Sequence, residues 1–255
     1  MLQHIGAFVV GIVIGFLGGL FGKGGSAIAT PLLSLLGFPG FIAVAAPLPA
    51  TVPGTLVASA EYWRSSLIDW QIVRWSLIAG VPSTILGSYL TLFTGPTPLL
   101  VVTGIMVLGF GLSFLLSSGR KKLSGMPVDP EVHVRPPYWR LRLTFVAIGV
   151  GLISGLLANS GGFLLAPSYA KFLRQPIKKA FACSLAVSVV LALPGTIVHW
   201  YLGHISWGVT GLIALGSVPL SYLGAKVALR SRPSTLERWY GFALTVLGAF
   251  FLLQI

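Results

Sequence analysis

Residues 15–31 read GFLGGLFGKGGSAIATP, and residues 151–167 read GLISGLLANSGGFLLAP. The phrases lie 136 residues apart in a chain of 255, so each half carries one copy. Gly15 matches Gly151, Gly19 matches Gly155, Gly25 matches Gly161 and Pro31 matches Pro167. In both copies an apolar run is interrupted by a polar, glycine-rich step, and a shorter apolar run follows. Glycine-interrupted segments at matching places in two halves point to a transporter's binding site.

Composition sets the compartment. The chain is 55% hydrophobic and 9% charged, with five acidic residues, and its mean hydropathy is +0.90. So few charges do not cover the surface of a soluble domain. Apolar runs long enough to cross a bilayer recur along the whole length. The expected class is an all-α polytopic membrane protein. The net charge of +12 does not argue for nucleic acid, because the basic residues flank apolar spans, where the positive-inside rule puts them. A single cysteine, Cys183, excludes an intramolecular disulfide framework and reads as a small packing residue. The opening MLQHIGAFVVGIVIGF has no basic n-region and no cleavage pattern, so it is expected to stay as a span.

Ten apolar segments fall near 4–22, 25–37, 43–61, 71–93, 97–117, 141–158, 161–173, 180–202, 206–229 and 236–254. That is five per half. The second and seventh are about 13 residues long, roughly 20 Å as helix, short of the ~30 Å hydrocarbon core. They are expected to be broken or re-entrant helices. The halves correspond further: Pro53-Gly54-Thr55 with Pro194-Gly195-Thr196, Ile68-Asp69-Trp70 with Ile205-Ser206-Trp207, and Val81-Pro82 with Val218-Pro219. The chain therefore divides into a first repeat at 1–117, a linker at 118–140 and a second repeat at 141–255. The linker, SSGRKKLSGMPVDPEVHVRPPYW, is rich in Pro, Gly and charge and reads as a cytoplasmic tether.

Sixteen of the 17 basic residues sit in four loops, at 61–74, 118–142, 171–179 and 226–238. The counterpart of each charged loop in the other half is uncharged: 202–206 for the first, 35–43 for the third and 89–101 for the fourth. Equivalent loops are therefore expected on opposite sides of the membrane, which is the mark of two inverted-topology repeats. The four basic loops are placed in the cytoplasm of a multi-pass plasma-membrane protein, with both termini outside.

Lys23 is the remaining basic residue, and it lies inside the broken step. A charge at that depth needs a cavity or a partner, and no acidic residue is near in sequence. A half-helix beginning near Gly24 and another near Ser160 would each present unpaired N–H groups and a positive dipole end. Two such ends form an anion site. The substrate-binding candidates are Lys23, Gly24, Gly25 and Ser26 in the first copy, and Asn159, Ser160, Gly161 and Gly162 in the second. Thr51, Ser184 and Ser188, from the following spans, are added to them. Gly11, Gly15, Gly19, Gly151 and Gly155 recur every four residues and are read as helix-packing positions. The phrase is no P-loop, because Gly24 stands where a hydroxyl residue is required after Lys23. His199 reads as a buried polar contact, and Glu61 and Asp69 are expected to pair with Arg64 or Arg74.

The stretches GGLFGKGGSAIATPLL at 18–33 and SGLLANSGGFLLAPSY at 154–169, supported by Ile68-Asp69-Trp70, resemble the sulfite exporter TauE/SafE family of membrane permeases. The resemblance spans about residues 5–254. The family usually has a fuller glycine run in the second copy, where Asn159-Ser160 stands here. The resemblance implies transport of small sulfur-containing anions, such as sulfite, sulfoacetate and related organosulfonates.

The expected mechanism is alternating access around a midplane anion site. Export of an anion from a negative interior needs no coupling ion. The potential contributes ~2.3 kcal/mol per charge per 100 mV, roughly a fifty-fold gradient for a monoanion. Import needs coupling, and no acidic residue lies deep in a span to supply it. The expected partners are a small anionic substrate and the lipid bilayer, with no nucleic acid, cofactor or metal, and a homodimer is left open. An anion channel or a non-transporting membrane partner are the alternatives. The scattered His, Asp and Glu residues offer no catalytic cluster, so no enzyme is expected.

Overall fold

The computed structural model describes residues 2–22, 26–90, 101, 104–116, 136–157 and 159–253. These residues form helices and turns, with no strand among them. In chain order the helices are α1 (Leu2–Phe21), α2 (Ser26–Leu35), α3 (Gly40–Ala45), α4 (Pro47–Arg64) and α5 (Trp70–Leu90). A shorter apolar helix, α6, spans Gly104–Leu116. Then come α7 (Trp139–Leu156), α8 (Gly162–Phe172), α9 (Ile177–Tyr201), α10 (Trp207–Arg230) and α11 (Pro233–Leu253). Five of the described helices are long and apolar enough to cross a membrane. Outward positions such as Ile78, Phe145 and Leu215 are about two-thirds exposed. Water does not tolerate so continuous an apolar exterior, and lipid does. The protein is an all-α polytopic membrane protein.

The helix ends follow from local chemistry. α1 stops at Gly22, which takes a left-handed φ of +66°, the usual glycine terminus. The Asp69 carboxylate accepts the backbone N–H groups of Gln71 (3.1 Å) and Ile72 (3.4 Å) at the start of α5, as an N-cap does. Pro47 interrupts the segment expected at 43–61, because it has no N–H for the carbonyl one turn back. A short α3 is therefore set off from α4. The two short helices expected near 25–37 and 161–173 are present as α2 and α8. α7 opens at Trp139, inside the last residues of the sequence-defined linker. Most of that linker lies outside the described residues.

Packing crosses between the halves. α1 makes its most extensive contact with α10, and α7 with α5. Gly11, Gly15 and Gly19 of α1 press on the α10 backbone at Ile213, Ser217 and Ser221, where a Cβ would collide with main chain. Gly216 and Gly224 of α10 press back on α1 at Phe8 and Phe16. The residue numbers rise together, so α1 and α10 are parallel. Gly151 and Gly155 of α7 meet Gly80 and Thr84 of α5 in the same parallel sense.

The remaining directions follow from hydrogen bonds and contacts. Thr210 Oγ1 donates to the Ala46 carbonyl (3.1 Å) and Ser217 Oγ to that of Ala50 (3.4 Å), so α4 runs with α10. The Asp69 N–H donates to Cys183 Sγ (3.3 Å) and Gly80 meets Leu191, so α5 runs with α9. Leu48, early in α4, packs on Gly195, late in α9. At the other end of α4, the Tyr62 hydroxyl donates to the Gly19 carbonyl (3.2 Å), beside Phe21, whose ring stands 6.4 Å from that of Phe181, early in α9. α4 and α9 are therefore antiparallel.

The result is two three-helix groups. α1, α4 and α10 run one way, and α5, α7 and α9 run the other. Each group mixes both halves, and α1 and α7, the matching first helices, point in opposite directions. An aromatic knot closes one end, with the Tyr240 ring 4.9 Å from Phe181 and 5.5 Å from both Phe21 and Phe114.

Candidate functional site

The second broken step is described from Asn159 onward. α7 ends one residue past Gly155, held close to α5 by the absence of a side chain there. The Ser154 hydroxyl donates to the Asn159 carbonyl, and the Asn159 N–H donates back to the Ser154 carbonyl (3.0 Å). Asn159 Oδ1 accepts the Gly161 N–H at 2.7 Å. The side chain mimics one more turn of backbone, as Asx turns do. Gly161 has φ +70°, a conformation glycine adopts at little cost. Its carbonyl then accepts the N–H groups of Leu164 and Leu165 (3.0 Å each), which starts α8. Asn159, Ser160, Gly161 and Gly162 are all buried.

Asn159 thus contributes its Oδ1 to the turn, leaving its amide NH2 as the part able to meet a ligand. Ser184 of α9 donates to the Gly162 carbonyl at 3.0 Å and ties the start of α8 to α9. Ser188, one turn further along α9, is fully buried, and its hydroxyl has no hydrogen-bond partner among the described residues.

The first step is described up to Gly22 and again from the start of α2. Lys23, Gly24 and Gly25 lie outside the described residues, and Ser26 is described only as the first residue of α2. Gly22 packs on the backbone of Phe181, where a Cβ would overlap Phe181 Cα. Phe181 and Ser184 lie one turn apart on α9. Gly22, just past the end of α1, and Gly162, at the start of α8, therefore meet α9 within one turn of each other. Ser184 is seven residues past the start of that helix at Ile177, so the turn is about 10 Å along it.

Thr51 lies elsewhere. It is 4% exposed and faces a small cavity between α1, α4 and α10, together with Thr55, Ser217 and Ser221. These last three were missed in the sequence. Their signal was a four-residue spacing, Thr51 to Thr55 and Ser217 to Ser221, on helices otherwise apolar at those depths.

The polar residues outside the step have local roles. Glu61 pairs with Arg64 at 2.8 Å, as expected, whereas Asp69 caps α5. The Lys178 ammonium donates to the Leu229 carbonyl at the end of α10 (2.7 Å), favourable for a cation at a helix C-terminus. His199 Nδ1 lies 3.2 Å from His204 Nδ1.

Comparison with known proteins finds membrane transporters. The chain is 27% identical to the probable membrane transporter protein YjnA of Bacillus subtilis, over 92% of this chain and 94% of that one. It is 26% identical to the probable membrane transporter protein MJ0441 of Methanocaldococcus jannaschii, over 96% and 94%. A probable membrane transporter protein of Xylella fastidiosa matches at 27%, over 94% and 91%. The family model described as sulfite exporter TauE/SafE matches residues 7–251. The relatives are named as transporters and the match runs almost end to end, so this chain belongs to the sulfite exporter TauE/SafE family of membrane transporters.

Proposed function

We propose that the protein moves small sulfur-containing anions, sulfite or organosulfonates such as sulfoacetate, by alternating access. One observation carries the reading: the residue that ends α1 and the residue that opens α8, one from each half, meet α9 within one turn of each other. The α8 N-terminus reaches that turn through the Ser184 bond to Gly162, and α1 reaches it through Gly22 against Phe181. The positive N-terminal end of α8 attracts an anion there. Lys23, adjacent to Gly22 in the chain, adds a full charge. The opposed directions of α1 and α7 support an inverted-topology pair with the basic loops in the cytoplasm of a plasma-membrane protein.

The packing also bears on which bodies move. The closest contacts join α1 to α10 and α7 to α5, so neither repeat moves as a unit without breaking them. The bodies that rock are the mixed groups, α1 with α4 and α10, and α5 with α7 and α9. They slide where α4 meets α9.

The test is transport in liposomes holding purified protein, with sulfite, sulfoacetate, taurine and chloride offered in turn. Saturable sulfite or sulfonate flux is expected, falling at least about tenfold in Lys23→Ala, the loss of one charge-assisted contact of about 1.5–3 kcal/mol. Unchanged flux in Lys23→Ala would remove Lys23 from the site. The absence of saturable anion flux would overturn the substrate class.

A further inference from the structure

We propose that the cavity between α1, α4 and α10 binds one small monovalent cation, with sodium the best fit. The proposal concerns a place the anion site does not use. Four hydroxyl residues, Thr51, Thr55, Ser217 and Ser221, line it with Gly15 and Gly18, and its volume is about 10 Å³. That is room for one particle of about the size of a water molecule. All four hydroxyl residues are at most 7% exposed.

Proton accounting decides what the cavity accepts. Thr51 Oγ1 donates to the Leu48 carbonyl (3.0 Å) and Thr55 Oγ1 to that of Thr51 (2.8 Å). Ser221 Oγ donates to the Gly15 carbonyl (3.2 Å). Ser217 Oγ shares its proton between the carbonyls of Ala214 (3.3 Å) and Ala50 (3.4 Å). A hydroxyl has one proton and two lone pairs. With every proton committed to backbone, the four oxygens offer lone pairs only. A water molecule donates to two of the four at most, whereas a cation is met by all four, so a cation is the fuller complement, and oxygen-only ligation suits a hard one. No carboxylate is among the lining residues, so a divalent charge would be left uncompensated, while a single charge is matched by hydroxyl and carbonyl dipoles.

The space is held open by Gly54. A Cβ there would stand 2.7 Å from Ser221 Oγ and 3.3 Å from Ser217 Oγ, so both serine hydroxyls point at the gap this glycine leaves. The second half does not repeat the arrangement. By the matched Pro-Gly-Thr and Val-Pro steps, Ala192 stands for Thr51, Gly80 for Ser217 and Thr84 for Ser221. There the Leu48 side chain fills the place facing Gly195, at 2.9 Å from its Cβ position, and Leu191 covers Gly80. The fold therefore closes this space with leucine where no polar cavity is kept, and packing does not require four hydroxyls.

Gly18 lies one helical turn before Gly22 and the first broken step. Only the consequence for transport rests on the function proposed above. A cation bound in this cavity would travel with a monoanion in the step beyond it, so the pair would cross without moving net charge. Inward transport against a negative interior then becomes feasible.

The experiment is equilibrium binding of radioactive sodium to the purified full chain in detergent, with no sulfur anion present. Lithium, potassium and choline are the competitors, at constant ionic strength. One saturable site per chain is expected, displaced by lithium and poorly by potassium or choline. Ser221→Ala and Thr51→Val each weaken it at least about tenfold, and Gly54→Ala, which fills the gap and keeps every hydroxyl, does the same. Thr196→Val, at the position matching Thr55 in the other half, leaves it intact. The parent protein also melts higher in sodium than in choline, a readout that requires no variant. No saturable sodium, or equal binding by parent and Gly54→Ala, overturns the cavity as a cation site. Anion flux in liposomes without sodium binding would sink this proposal and leave the transport reading standing. Sodium binding without anion flux would do the reverse.

Discussion

Gly155→Ala, read against Gly149→Ala on the same helix, isolates the crossing that joins the two halves. At Gly155 a Cβ would overlap the Thr84 carbonyl and stand 2.6 Å from the Ser88 backbone nitrogen. At Gly149 a Cβ meets nothing within 4 Å. Relaxing the 2.6 Å contact to an ordinary one near 3.5 Å parts α5 from α7 by at least about 0.9 Å, and the closer Thr84 carbonyl requires more. Both substitutions gain the same helix propensity, up to about 1 kcal/mol, so the difference between them is the overpacking cost. That cost is typically about 1–3 kcal/mol. The obstacle at Gly155 is backbone, which no rotamer change relieves, so the upper half of the range is expected. At about 2–4 °C per kcal/mol for a chain of this size, Gly155→Ala should melt about 4–12 °C below Gly149→Ala. The assay is thermal unfolding of both variants in one detergent, followed by near-ultraviolet circular dichroism. Equal melting temperatures would refute close backbone contact at the α5–α7 crossing.

Two further outcomes are expected. Gly161→Ala should lose stability by about 1–2 kcal/mol, from the left-handed backbone cost and the Ser154 hydroxyl 3.2 Å from the new methyl; a melting temperature equal to the parent's would contradict the assigned turn. Single cysteines at Phe38 and Pro176, with a membrane-impermeant thiol reagent, should label from opposite faces, and the parent's buried Cys183 should stay unreactive. Labelling from one face would break the inverted-repeat reading.

The duplicated phrase made the short helices α2 and α8 legible, because a polar Gly-rich step followed by about 13 apolar residues leaves few alternatives. The four-residue glycine spacing announced close packing. It did not say against what, since Gly15 finds Ser217 across most of the chain, and only the three-dimensional crossing brings them together. Asn159 read only as a ligand candidate, because its Asx turn depends on where Gly161 points its N–H. Asp69 read as an ion-pair partner because a cap and a salt bridge need the same carboxylate near a loop. The Thr51–Thr55 and Ser217–Ser221 pairs were hardest to see. On one helix such residues look like small packing positions, and their shared cavity exists only once α4 and α10 lie side by side.

The pairing of α1 with α10 sets a timetable for biogenesis. α1 ends at Phe21 and α10 begins at Trp207, so roughly 190 residues must be synthesised before the two meet. At about 5–20 residues per second that is about 10–40 s. Throughout it the glycine face of α1 has only lipid or the insertion machinery against it. α5 waits only about 50 residues for α7. The second group of helices should therefore be complete in the membrane before the first, and α1, made before all of them, waits longest for its partner.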